Sequence, residues 1–180
     1  MFCFIFAIQI ILMENPQIDY KKQSTLHGLI LGLYSAVLLW LTHKFNFEDN
    51  LLISLISITV AVLLVFFPIH QYKINNDNLL KLGTALKIGL IVGLVGGLIY
   101  AIYTYYHYIS VDSEFIPKTI EESRQALELQ KNDMPDEQYE QAKAMTETMV
   151  SPFFFATFGL FTILFKSFII ALVIGLIKKK

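Results

Sequence analysis

The sequence predicts an all-α membrane protein: four transmembrane helices with a helical hairpin inserted between the third and the fourth. Four runs nearly free of charge, residues 23–43, 50–72, 82–109 and 152–177, are each long enough to cross a bilayer core, which takes about 20 apolar residues at about 1.5 Å per residue. Charged residues make up 16% of the 180-residue chain, where a soluble domain carries about 25%, so much of the surface that water requires is missing. The remaining charge is segregated. Residues 112–149 hold ten acids against four bases, a net of −6, which leaves +5 elsewhere in a chain whose overall charge is −1.

Residues 1–22 form an N-terminal segment with two parts. The apolar run Met1–Met13 is too short to span and has neither the basic start nor the small-residue cleavage site of a signal peptide. The reading favoured is a mis-called start covering residues 1–12, with Met13 as the initiator, because Glu14-Asn15-Pro16 is an ordinary polar N-terminus.

Lipid tails are as apolar as leucine, so membrane helices associate where small residues let backbones approach. The first span carries Ser24, Gly28, Gly32 and Ala36 at four-residue spacing. The second has no such stripe and is expected to pack loosely or peripherally. The third carries the longest ladder, Ala85, Gly89, Gly93, Gly97 and Ala101. These two stripes nominate spans one and three as the packing centre, with internal packing favoured over a homodimer. Tyr100, Tyr103, Tyr105, Tyr106 and Tyr108 crowd one end of the third span and read as an interfacial belt.

Residues 112–150 form the acidic hairpin. Ile116, Ile120 and Leu127 keep approximate helical spacing, and Thr119 with Glu122 resembles a capping box. The stretch Asn132-Asp133-Met134-Pro135 breaks the pattern. A second narrow stripe follows at Tyr139, Ala142, Met145 and Met149. The acids argue against a nucleic-acid partner. The plain reading is a solvated connector, and the functional one is a docking face for a basic partner or divalent cations.

The fourth span opens at Ser151-Pro152, carries Ser167, Ala171 and Gly175, and closes on the basic tail 178–180. Lys166 is the one charge deep inside a span, about 21 Å along the helix from Pro152 at 1.5 Å per residue. An intramembrane ionisable group is a functional candidate by default. Gly159 and Thr162 fall on its face, and Ser35, Ser57 and Thr59 are the polar company expected at its depth. The favoured reading is nonetheless a snorkelling lysine, at about 3 kcal/mol on insertion scales.

Lysine placement sets the orientation. Lys21 and Lys22 precede span one, Lys73, Lys81 and Lys87 lie around the second connection, and Lys178, Lys179 and Lys180 close the chain. The first connection offers Lys44 against Glu48 and Asp49. Both termini are therefore expected inside, with the acidic hairpin outside and the tail cytoplasmic.

No catalytic, cofactor-binding or metal-binding set emerges. Cys3 is the sole cysteine, which excludes an internal disulfide. His27, His43, His70 and His107 lie near span ends with no pair at four-residue spacing, so they read as interfacial rather than as a zinc site. No nucleophile elbow, P-loop, zinc-protease helix or intramembrane carboxylate pair is present.

The segments Gly28-Leu-Ile-Leu-Gly32 and Leu82-Gly-Thr-Ala-Leu-Lys-Ile-Gly89, the tyrosine-rich run into Asp112, Met149-Val-Ser-Pro-Phe153 and the closing lysines together carry a resemblance. From about residue 20 onward the chain resembles an uncharacterised bacterial membrane family, the domain-of-unknown-function group 4199, found mostly in Bacteroidota. Residues 1–12 fall outside that pattern, and Lys166-Ser167 departs from the small or apolar residues it implies there. The resemblance implies a fold and a bacterial inner membrane, and no activity. The expectation is thus a non-enzymatic, cofactor-free accessory or interaction module whose outer hairpin contacts a partner. Besides the lipid bilayer, that partner is a second copy or an unidentified membrane or periplasmic protein. The alternative is a small transporter or channel subunit using Lys166 within the bundle.

Overall fold

The computed structural model describes residues 19–45, 50–131 and 134–179, and the expected mis-called start at 1–12 lies outside them. Among the described residues there are six α-helices and no strand: α1 (Tyr20–Phe45), α2 (Leu51–Asn75), α3 (Leu82–Tyr106), α4 (Phe115–Leu129), α5 (Asp136–Met149) and α6 (Pro152–Lys178). A single π-turn, His107–Val111, continues α3. With that turn included, α3 is 30 residues long, and α1, α2, α3 and α6 are each long and apolar enough to cross a membrane. A bilayer offers backbone groups no water, so a helix is the one open-chain form that satisfies its own N–H and C=O groups. The chain therefore fits a multi-pass membrane protein. Large apolar side chains such as Leu94, Leu98, Ile102, Phe158, Phe161 and Phe165 stand on its outward faces.

The packing centre is α3, which is used on two faces. Its ladder turns to α6: a Cβ added at Gly89 would collide with Ala171, one at Gly93 would lie 2.9 Å from Ser167 Cβ, and one at Gly97 3.0 Å from Leu160 O. Gly175 answers from α6, its added Cβ falling 2.7 Å from Leu82 Cδ1 and 3.0 Å from Ala85 Cβ. The other face meets α1. Gly28 sits against Val95 and Val92, and Gly32 against Gly96 and Ile99, with 2.7 Å between an added Cβ on Gly32 and Gly96 O. The stripes of spans one and three therefore do not face each other. The α1 stripe meets a separate α3 face built on Gly96, and the α3 ladder meets α6. Ser24 and Ala36 are buried, and Ala101 is half-buried.

Helix α2 departs from the expectation of loose packing in one half only. Asn50 caps it, its side chain accepting from Leu52 N (3.0 Å) and Ile53 N (3.3 Å). The next two turns stand away from the bundle, leaving Leu51, Leu52, Leu55, Ile56 and Ile58 exposed. From Val60 onward the helix enters the core, burying Ala61, Leu64, Val65, Pro68 and Ile69. In the turn to α3, Asp77 and Asn78 take φ of 50° and 60°, a left-handed region that short polar side chains tolerate.

The two ends of the bundle differ. At one end Gln23 of α1 hydrogen-bonds Gln71 of α2, Tyr20 meets Tyr72 edge to face, and Lys73 Nζ donates to Lys178 O at 3.0 Å. Lys73 and Lys178 thus meet at this end, while Lys44 closes α1 at the other. The opposite end is aromatic, with Tyr108 stacked on Phe115 at 4.9 Å and lying 5.3 Å from the Phe155 ring. Tyr105 and Tyr106 point outward as belt residues would, whereas Tyr108 is buried.

Helix α4 begins at Phe115 with Glu114 at its N-cap, so the capping box at Thr119 and Glu122 does not form. Thr119 lies inside the helix and its hydroxyl donates to Phe115 O at 2.8 Å. Pro117 sits in the first turn, where a missing N–H costs nothing. No residue of α4 is buried. Arg124 reaches Glu147 of α5 at 3.5 Å, and Lys131 Nζ lies 5.0 Å over the Tyr139 ring. Residues 132 and 133 of the expected break lie outside the described residues.

Helix α6 is capped by Ser151, whose hydroxyl accepts from Phe154 N at 3.2 Å. Removing that acceptor in Ser151→Ala is expected to cost about 1 kcal/mol, read as a thermal midpoint a few degrees lower in detergent.

Candidate functional site

The divergence of α2 opens a cleft of about 580 Å³ among the four long helices. Helix α1 contributes Ser35 and Thr42, α2 contributes Ser54 and Ser57, α3 contributes Tyr100, Thr104 and Tyr108, and α6 contributes Gly159, Thr162 and Lys166. Gly159 sets one wall. A Cβ there would come 2.5 Å from Tyr100 Cε1, so its absence leaves room for the tyrosine ring against α6.

Lys166 is the one cationic side chain among the described residues of this lining, and no carboxylate is among them. The same lysine borders an adjoining groove of about 600 Å³ whose other walls are Ile58, Phe158, Phe161, Thr162, Phe165, Ile169 and Ile170. It thus stands where a hydroxyl-rich cleft meets an apolar groove between α2 and α6. The hydroxyls offer neutral donors and acceptors, the ammonium three donors and a full charge. Together they can hold an anion and cannot cancel one another's charge.

The sequence placed Gly159, Thr162, Ser35 and Ser57 beside Lys166, and all four line its cleft. Thr59 does not; its hydroxyl donates to Leu55 O at 2.8 Å on the exposed side of α2. Thr42, Ser54 and Thr104 went unnoticed because each span carries several hydroxyls and the sequence does not show which of them turn to the cleft.

Of the small residues expected to mediate packing, Gly28, Gly32, Gly89, Gly93 and Gly97 stand at close helix approaches. The histidines do not remain four separate interfacial residues. His43 and His107 meet with ring centroids 5.0 Å apart. His27 is buried in α1, with Nδ1 2.9 Å from Gln23 O, and His70 Nδ1 lies 3.2 Å from Lys178 Nζ at the basic end.

No curated protein and no solved structure matches the chain. A family model described as "Protein of unknown function (DUF4199)" matches residues 26–180, which takes in every helix except the first turns of α1. The chain belongs to that family of proteins of unknown function.

Proposed function

We propose that the chain is a multi-pass protein of a bacterial inner membrane, with both termini inside, and that it serves as a small transporter or channel subunit whose cleft takes an anionic amphiphile at Lys166. The observation that carries this reading is the cation at the junction of the hydroxyl-lined cleft and the apolar groove, with no carboxylate among the described residues that line them. A charged headgroup would meet the ammonium and the hydroxyls, and an acyl chain would follow the groove between α2 and α6. A snorkelling lysine needs only a route to the interface. It has no use for the serine, threonine and tyrosine hydroxyls that all four helices bring to the same cleft. The orientation rests on the lysines gathered at one end.

The test is ligand binding by the purified chain in nanodiscs. Fatty-acid or lysophosphatidate-type anions are expected to raise the thermal midpoint in a saturable way, while zwitterionic amphiphiles of equal chain length leave it unchanged. Equal shifts from both classes would remove the anion from the reading.

A second reading keeps the accessory module. Residues 112–150 would form a helical hairpin outside the membrane, and α4 buries none of its residues while Leu129 remains 85% exposed. That surface suits a protein contact more than a bare connector. Deleting 114–149 should then release a co-purifying partner at fixed stoichiometry and leave amphiphile binding intact.

A further inference from the structure

We propose that His43, His107 and Asp112 form a mononuclear site for a divalent transition metal of the zinc class, at the aromatic end of the bundle. One donor atom from each of the three lies within 4.8 Å of the other two. His43 Nδ1 is already 3.2 Å from Asp112 Oδ2, close to the roughly 3.4 Å that separates two ligands of a tetrahedral ion with bonds near 2.0–2.1 Å. The site takes residues from two helices 64 positions apart, and its geometry depends on the π-turn. In an α-helix at 3.6 residues per turn, position i+5 lies about 140° round from position i. Widening the last turn of α3 lets Asp112 N–H donate to His107 O at 2.8 Å and returns the Asp112 carboxylate to the side of the His107 ring. Such single π-turns occur frequently at functional sites.

His107 supplies an independent sign of a missing ligand. The residue is 1% exposed, and its Nε2 has no hydrogen-bond partner among the described residues. A buried ring nitrogen without a partner is costly, and a metal bond would satisfy it. The other nitrogen, Nδ1, lies 3.5 Å from the Tyr103 hydroxyl. On His43, the nitrogen turned from Asp112, Nε2, lies 3.3 Å from the Tyr108 hydroxyl. Both imidazoles therefore have an outer hydroxyl to fix the ring and its tautomer, as metal-ligating histidines usually do. Two imidazoles and one carboxylate suit zinc or a neighbouring first-row ion. Calcium and magnesium instead ask for six or more oxygens or retained waters. Three protein ligands leave the fourth position open. Tyr108, which neighbours His43, also lines the Lys166 cleft, so the three residues lie beside the cleft's aromatic end. The metal reading does not depend on what the cleft binds.

The test is Zn²⁺ titration of the purified, chelator-treated full chain by calorimetry, with Co²⁺ as a spectroscopic probe. One equivalent per chain is expected, and Co²⁺ should give the visible bands of a tetrahedral or five-coordinate nitrogen–oxygen site that Zn²⁺ bleaches. His107→Ala and the near-isosteric Asp112→Asn should each weaken Zn²⁺ binding at least about a hundredfold, with His70→Gln unchanged. Asp112→Asn preserves shape, so it decides the matter if His107→Ala fails to fold. Absence of a stoichiometric site, or binding that Asp112→Asn leaves intact, would overturn the proposal and leave a His43–Asp112 pair that ties α1 to α3.

Discussion

Gly89→Ala is expected to destabilise the bundle by about 1–3 kcal/mol, the usual cost of one methyl forced into a packed interface. The new Cβ would collide with that of Ala171, and Ser167 O lies 3.0 Å away, so neither a flexible tip nor an empty corner can absorb it. Helices α3 and α6 would have to separate along the line where Gly93 and Gly97 also approach α6. Truncating the opposing residue supplies the complementary space. The double variant Gly89→Ala with Ala171→Gly should therefore recover much of the loss, beyond what two independent changes would give. Gly83→Ala is the control, because an added Cβ there meets nothing within 4 Å. It should be neutral or stabilise slightly through helix propensity. Unfolding by denaturing detergent, followed by circular dichroism, reads all five proteins, Ala171→Gly alone completing the cycle. A Gly89→Ala chain as stable as the unaltered one would contradict the α3–α6 contact.

The second large effect is expected at Lys166. Replacing it by methionine keeps most of the side-chain length, removes the charge, and leaves the fold's small-residue contacts untouched. Anionic amphiphiles should then shift the thermal midpoint no more than zwitterionic ones do. The empty protein should become more stable, by up to the roughly 2.5–3.5 kcal/mol that insertion scales assign to a charge at mid-membrane. Lys166→Arg keeps the charge and should retain part of the binding, since guanidinium also pairs with carboxylate and phosphate. A methionine variant that loses stability would mean the lysine packs as structure. One that binds anions as before would mean the cleft recognises them through its hydroxyls alone.

The four spans were legible because a bilayer demands long charge-free helices, and four charge-poor runs of the chain meet that demand. The small-residue stripes were legible as stripes, yet their partners were not. A helix has several faces, and the one that α1 meets is built on Gly96, which lies off the ladder and signals nothing by itself. Lys166 stood out as the single deep charge, but its cleft depends on α2 standing away over its first two turns. That divergence follows from how α2 fits its neighbours rather than from its own apolar pattern. The cluster of His43, His107 and Asp112 escaped notice for a different reason. Metal motifs are recognised at short spacings, and here the pair is joined only when spans one and three end at the same level. The lysine-based topology already set those two ends on one side. Asp112 follows His107 by five residues, a spacing that reads as unrelated until the π-turn is known.

Chemical access to the cleft beside Lys166 tests the central claim most directly. In a chain with Cys3→Ser and Ser57→Cys, which keeps Lys166 and puts the thiol on the same cleft lining, reconstituted in lipid, a negatively charged thiosulfonate reagent is predicted to label position 57, and bound anionic amphiphile to slow that labelling. Leu94→Cys, on the outward apolar face of α3 and away from the cleft and groove, should resist the charged reagent and react only with a lipid-soluble one. Labelling at position 57 by the lipid-soluble reagent alone would place the cleft in hydrocarbon, and it could not then be a site for anions.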